Sequence, residues 1–509
     1  VYTAVQDNID ASLYPAGWNE TGFHASNWKT PTLNSCFEGY TLRSSQNDIY
    51  KHYEVTSKSV QRKSDGSYLV DFGKEIIGTI RLNINGRSSN VTFQYGEELD
   101  QSGNAKYKMA TGNTYQETWK LKNGHQTLSG IGMKTFRYIT IRNMPVSLTK
   151  DQITGLTVRS AFDEEASDFE SSNSVLNDIY DMTKYTSKMT TQGLYVDTQS
   201  RERLAYEGDA LITGMTSFSY SPTSTAFKYS AEYLLNNTTW PSEYSLYNIM
   251  AIYQHYLYTG DKRMLEESYQ TLKSKTMDQF YDQSQGLMKR ATTSFQHIMV
   301  DWPATDIDGY KTTDAYYNTV FNAVCVGGYE DMASIAAALG KESDRAYYQN
   351  LADTIRQNMI QKLYNSQTGE FYDGLKQDGS VVQHSAQHAT AYALAFDIYN
   401  SQGMSDKMAS VIEADGELKM SVYGSYFLLQ GLYNSNHGTL ARKIMSNPDD
   451  EMGVRSWAYM MYGLESTITA EAWNRANKPN MSLSHAWGSA PGSMLVRGMF
   501  AYIARIWNF

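Results

Sequence analysis

Cysteine is nearly absent: Cys36 lies in a polar N-terminal stretch and Cys325 in an apolar helical run, and there are no others. Two thiols so far apart argue against a disulfide framework and for buried free cysteines. Proline is scarce too, at 9 residues, and with 41% hydrophobic and 13% aromatic content this excludes a disordered or fibrous chain. No Lys/Arg run of nucleic-acid type occurs. The net charge of −10 opposes a polyanionic partner and favours a neutral substrate. No apolar run approaches the ~18 residues that a membrane span needs. Nor does a charged segment followed by an apolar stretch open the chain, so no signal peptide is legible. A cytoplasmic location is therefore expected ahead of secretion, while Val1 in place of Met leaves room for a processed N-terminus. What is abundant is tyrosine, at 40 residues. Its amphipathic ring suits sugar-binding clefts and ordinary half-buried surfaces alike.

With 509 residues the chain exceeds what one hydrophobic core spans, so two or more domains are expected. Residues 1–160 read as β structure. Alternating runs at Tyr68–Phe72, Gly78–Ile84, Asn90–Tyr95, Phe136–Ile141 and Leu156–Val158 are separated by turn signals such as Ser64-Asp65-Gly66, Asn85-Gly86 and Asn123-Gly124. Many short strands at this spacing predict a sandwich or jelly roll. A polar acidic stretch at 161–167 marks the boundary, and from there to 509 the apolar period is 3.6. Helical runs are expected at about 172–191, 209–221, 224–237, 243–259, 261–283, 314–340, 343–364, 387–399, 403–413, 421–434, 438–447, 453–463 and 484–507. A closed double ring would bury their apolar faces; an open helical array is the alternative. Two long non-helical segments, 284–313 and 465–483, are of the kind that carries function.

The densest chemistry lies from Asp197 to Asp209, where four carboxylates, two guanidiniums and a tyrosine stand between apolar segments. An exposed helix start with local ion pairs explains such a mixture, each pair being worth a few tenths of a kcal/mol. A cleft lined by carboxylates explains it as well, because burial and mutual repulsion push pKa values apart. Glycosidic cleavage needs two carboxyl groups, one to protonate the leaving oxygen and one to activate water or attack. Glu202 in this stretch and Glu471 in the late loop, beside Trp473, are the candidates. His485 before the last helix and Asp301-Trp302 in the long insert are candidate sugar contacts, the alternatives being a capping histidine and a packed indole. His384 and His388 stand at i, i+4 without a third ligand, so no metal and no cofactor are expected. There is no Gly-x-Ser-x-Gly nucleophile elbow.

These residues carry a resemblance. Asp197, Arg201-Glu202-Arg203-Leu204, Tyr206 and Gly208-Asp209 resemble the Asp-Cys-Pro-x-Arg-Glu-Lys/Arg-Leu-Gly-Trp-x-x-Asp signature of bacterial family 78 α-L-rhamnosidases. Thr467 to Trp473 is similar to that family's Ala-Thr-Thr-x-Trp-Glu-x-Trp segment, and Ser482 to His485 to its Ser-Leu-x-His. Asp301-Trp302, Asp71-Phe72-Gly73, Gln94-Tyr95-Gly96-Glu97 and Phe136-Arg137-Tyr138 follow in the expected order. The resemblance implies a multidomain α+β chain, an N-terminal jelly-roll-like β-sandwich over 1–160 followed by an (α/α)6 barrel over 161–509. It also implies an inverting hydrolase releasing terminal α-L-rhamnose. Glu202 would be the general acid and Glu471 the general base. Asp197, Arg201, Tyr206, Asp209, Asp301, Trp302, Trp473 and His485 would bind the sugar or tune the acid. Departures are Thr198-Gln199 for Cys-Pro, Tyr206 for Trp and Ala470 for the Trp before the base, so a partly rebuilt pocket wall is expected. The C-terminal β domain of larger members is expected to be missing after Phe509. The expected partner is a small carbohydrate or glycoside, with no nucleic acid and no membrane; a homodimer is compatible. Rival functions are another sugar hydrolase or lyase on the same helical barrel, and a non-catalytic rhamnose-binding protein.

Overall fold

The computed structural model describes residues 4–15, 17–34, 38–42, 44–45, 47–221, 223 and 225–499, and the chain divides into two units between Val158 and Arg159. In the first unit the strands are β1 (Lys51–Thr56), β2 (Ser59–Arg62), β3 (Tyr68–Gly86), β4 (Ser89–Gly96), β5 (Gln116–Leu121), β6 (Gly124–Ser129), β7 (Lys134–Arg142) and β8 (Ile153–Arg159). Their order is β1-β8-β3-β7-β4-β5, with β2 and β6 also paired to β3. Strand β3 explains this branching, because it changes partners along its length. Its first residues pair with β2 and β7, and those from Gly78 onward with β8 and β6. The two strands expected at Tyr68–Phe72 and Gly78–Ile84 are therefore one. The register shifts between Asp71 and Ile76, with Gly73 at φ +79°, so a bulge absorbs the polar residues without ending the strand. Asn85-Gly86, expected as a turn, is instead paired to β6. Alternate residues of these strands, among them Val70, Ile80, Leu82, Val91, Phe93, Trp119, Phe136 and Ile141, are buried and form the core of a jelly-roll-like β-sandwich.

The second unit is helical: α1 (Ser174–Thr190), α2 (Glu207–Ser217), α3 (Thr225–Asn236), α4 (Tyr244–Thr259), α5 (Arg263–Lys275), α6 (Thr319–Ala338), α7 (Glu342–Leu363), α8 (Gln387–Ala395), α9 (Gln402–Asp415), α10 (Gly424–Asn434), α11 (Gly438–Met445) and α12 (Ala490–Met494). Helix α2 packs on α4, α4 on α6, α6 on α8, α8 on α10, α10 on α12, and α12 back on α2. That closes an inner ring of even-numbered helices, with the odd-numbered ones packed outside it. The burial follows: α2 and α8 are buried at every position, their polar residues included, whereas α5, α7 and α9 keep one exposed polar face. This is the (α/α)6 barrel.

Several expected helices differ in form. The run 484–507 is a 3₁₀ turn at Ala486–Ser489, then α12, then a π turn at Leu495–Met499, and residues from 500 lie outside the described ones. The run 453–463 contains a π turn, Tyr459–Gly463, and 261–283 stops as an α-helix at Lys275. Two-residue ladders join 281–282 to 287–288, 317–318 to 374–375, and 364–365 to 370–371, too short to leave a periodic signal. Cys325 is buried in α6, and Cys36 lies outside the described residues. Among those residues no helix is long and apolar enough to cross a membrane.

Candidate active site

The stretch from Asp197 closes on itself before entering α2. The Asp197 amide donates to Leu204 O at 2.8 Å, Leu204 N to Asp197 Oδ1 at 3.0 Å and Arg203 N to Thr198 O at 3.2 Å. Arg203 turns the chain at φ +57°. Arg201 and Glu202 therefore project from a fixed loop. Glu207 and Asp209 follow in the first turn of α2, where the helix dipole favours acids. Gly208 is needed at this point, since a Cβ would come within 2.6 Å of the Tyr244 ring.

Glu471 and His485 arrive on two facing segments. His485 N donates to Thr469 O at 2.7 Å and Glu471 N to Ser482 O at 3.1 Å, while Thr198 bridges to His485 from the first loop. These segments meet around a cavity of about 270 Å³. Of the residues singled out from the sequence, Asp197, Glu202, Tyr206, Asp209, Trp302, Glu471 and His485 line it. Three do not. Arg201 is buried and pairs with the two glutamates, Asp301 is fully buried, and Trp473 is a core indole donating to Met420 O and packed edge-on against Trp457. Asp301 is occupied by protein donors: it accepts from Ser421 N at 2.9 Å and from Ser421 Oγ, and pairs with His388 Nε2 at 2.7 Å. His384 pairs instead with Asp373. Among the described residues no group of three or more metal-ligating side chains comes together.

The charges are organised around Arg201. Its Nη2 lies 2.5 Å from Glu471 Oε1, its Nε 3.6 Å from Glu202 Oε1, and its Nη1 donates to Asn480 O at 2.5 Å. One guanidinium and its contacts thus separate the two glutamates. The Glu202 side chain keeps 21% of its surface exposed, against 3% for Glu471. Burial pushes Glu471 up, but His485, Arg201 and Lys478 outweigh it and hold the carboxyl below its ordinary value. Asp197 goes the other way: burial, then the charges of Asp209 and Glu202, raise it well above the usual range. Its side chain is hydrogen-bonded to Glu202. Asp209 is raised by burial against the opposing pull of His485, whose Nε2 is 3.0 Å away.

Residues 164–499 match the bacterial α-L-rhamnosidase six-hairpin glycosidase domain, and residues 61–159 the bacterial α-L-rhamnosidase concanavalin-like domain. The chain belongs to the bacterial α-L-rhamnosidase family. An α-L-rhamnosidase of Streptomyces avermitilis is 21% identical to it over 92% of this chain and 45% of the relative; for one from Alteromonas sp. (strain LOR) the figures are 21%, 92% and 52%. The chain spans about half the length of these curated relatives. The structure of native rhamnosidase from Aspergillus terreus superposes with a TM-score of 0.80 at 20% identity, covering 98% of this chain and 59% of that one. The Streptomyces avermitilis enzyme complexed with L-rhamnose gives 0.75 at 20%, covering 96% and 48%. At these identities the likeness shows the fold.

This rhamnosidase-family chain brings wall residues to the cavity that sequence reasoning missed: Trp240, Pro241, Tyr244, Met299, Lys478 and Trp487. Trp487 had a readable signal, two residues after His485, with which its ring packs at 4.2 Å. Trp240 had none, because its place depends on Glu207. That buried acid accepts from Thr239 N and Thr239 Oγ1, latching the next loop onto α2. Lys478 lies midway along a loop with no periodic pattern.

Proposed function

We propose that this chain hydrolyses terminal non-reducing α-L-rhamnosides with inversion, Glu202 acting as general acid and Glu471 as general base. The observation that carries this reading is the Arg201 bridge, which sets an ionised glutamate and a more exposed one into one small cavity. Glu471, held below its ordinary value by His485, Arg201 and Lys478, is suited to accept a proton from water. The hydrogen-bonded Asp197–Glu202 pair, with Asp197 raised, retains a proton that Glu202 can pass to the glycosidic oxygen. Trp302, Trp240 and Trp487 supply aromatic faces for the apolar side of a 6-deoxy sugar, and Asp209 with His485 supply hydrogen bonds to its hydroxyls. Membership of a rhamnosidase family and the L-rhamnose held by a structural neighbour of the same fold support the choice of sugar.

Glu202→Gln and Glu471→Gln are each expected to lower kcat on an aryl α-L-rhamnoside by about 100- to 10,000-fold. NMR of the fresh product should show β-L-rhamnose first, as inversion requires a separate water below the anomeric carbon. Near-normal turnover by either variant, or release of the α-anomer, would overturn these two roles.

A further inference from the structure

We propose that Lys478 is a positioning residue for the hydrolytic step, tying the Glu471 carboxylate to the aromatic wall at Trp302. This rests on the reading of Glu471 as the base. The ammonium is 3.2 Å from Glu471 Oε1 and 4.9 Å from the centre of the Trp302 ring. Its side chain is only 9% exposed, whereas Trp302 keeps 39% of its surface in solvent. An ammonium so placed gives up most of its hydration, and the carboxylate and the ring face replace it. Both partners line the cavity, so one cation joins a wall that meets the sugar to the group that meets the water.

Its placement is not left to a flexible stem. The loop that carries Lys478 is fastened from three sides: Arg201 Nη1 donates to Asn480 O, Thr305 Oγ1 to Asn477 O at 2.9 Å, and Asn477 Nδ2 to Asp306. Met481 N closes the turn onto Lys478 O at 3.0 Å. Glu471 is correspondingly saturated. Oε1 takes Arg201 and Lys478, and Oε2 takes Ser482 N at 3.0 Å. Arg201 and the His485 ring also face Glu471, and Asp209 is the acid whose charge reaches it. Lys478 adds to these its contact with the Trp302 ring. Removing Lys478 leaves each Glu471 oxygen with a single donor, Arg201 on Oε1 and Ser482 N on Oε2, loosens the carboxylate on its Trp302 side, and lowers the positive field that keeps it ionised.

The test compares Lys478→Met and Lys478→Arg over a pH series with an aryl α-L-rhamnoside. The methionine variant should lose at least tenfold in kcat, with KM within about threefold of the parent. Its acid limb should move up by about one pH unit, the effect of an opposite charge at this distance. Arginine should restore most of both. A rise in KM with kcat and acid limb unchanged, or no rescue by arginine, would overturn the proposal. A second measurement needs no turnover: titration of protein carrying ¹³C-labelled glutamate, with the Glu471 signal assigned through Glu471→Gln. Its midpoint should rise in Lys478→Met, and an unmoved midpoint would sink the proposal. A parent that titrates as described but cleaves no rhamnoside would refute the hydrolase reading while upholding the hold of Lys478 on Glu471.

Discussion

At Val300 the backbone stands at φ +68°, a region that β-branched residues rarely adopt. The amides of Met299 and Val300 both donate to Glu243 Oε1, at 3.0 and 2.8 Å, and Asp301 N turns back to Met299 O. One buried carboxyl thus offsets the local strain and aims the Asp301-Trp302 loop at the cavity. Burial pushes Glu243 up to about 7 from the ordinary 4.5, against the lowering effect of those backbone donors. The sign of the linkage follows. The native state binds a proton that the unfolded chain has released, so the contribution is fully present below about pH 4.5 and is lost as pH rises through 7. The slope should approach about 1.4 kcal/mol per pH unit at most. Glu243→Gln keeps an oxygen for both amides and cannot ionise, so the fall in Tm between pH 4.5 and 7 should flatten in this variant. Parallel Tm curves for the two proteins would mean that Glu243 does not titrate in this range.

Elements matter through what they brace. Asp306, in the 3₁₀ turn Ala304–Asp306, accepts from Arg455 Nε at 2.9 Å and from Asn477 Nδ2. It thereby ties the insert to the loop that carries Lys478. Asp306→Ala leaves a half-buried guanidinium and an amide without their acceptor, which should cost about 3 kcal/mol in denaturant unfolding. It should also reduce kcat more than KM, since the Lys478 loop loses one of its ties; equal kcat would show the tie to be dispensable. This dependence also marks the limit of what the sequence discloses. The sequence reveals α1, α4, α6 and α7 within a few residues, because each is a long run with apolar residues at helical spacing. It reveals Glu202 and Glu471 because acids between apolar segments are conspicuous. Asp301 is conspicuous for the same reason, yet its carboxylate is taken up by Ser421 and His388 and is not part of the cavity lining. Trp240 and Lys478 are silent, since their positions follow from hydrogen bonds between segments distant in sequence. The bulge at Gly73 is silent too, because a polar glycine-containing stretch reads equally as a turn.

The second unit as a whole is a ring whose last inner helix must find its first. Gly492 in α12 marks that closure: a Cβ there would come within 2.6 Å of Tyr220 Oη, 3.0 Å of Thr216 Cγ2 and 3.1 Å of Thr183 Oγ1. These atoms belong to α1, to α2 and to the turn after it. Thr183 and Tyr220 are already joined by a 2.7 Å hydrogen bond, so neither hydroxyl can retreat without losing a buried partner. The surfaces that meet at this point come from opposite ends of the unit's sequence. Closing them is an entropic cost met late in folding, because non-local contacts form only after the chain between them is ordered. Gly492→Val should therefore lower stability by about 1–3 kcal/mol, as overpacking does, and speed unfolding more than it slows folding. Gly416→Ala is the contrasting case: it adds a Cβ in open space at φ +70°, so its cost is local backbone strain of about 1 kcal/mol. Stopped-flow unfolding of the two variants separates these effects. A Gly492→Val protein that unfolds at the parental rate while folding more slowly would place ring closure before the transition state.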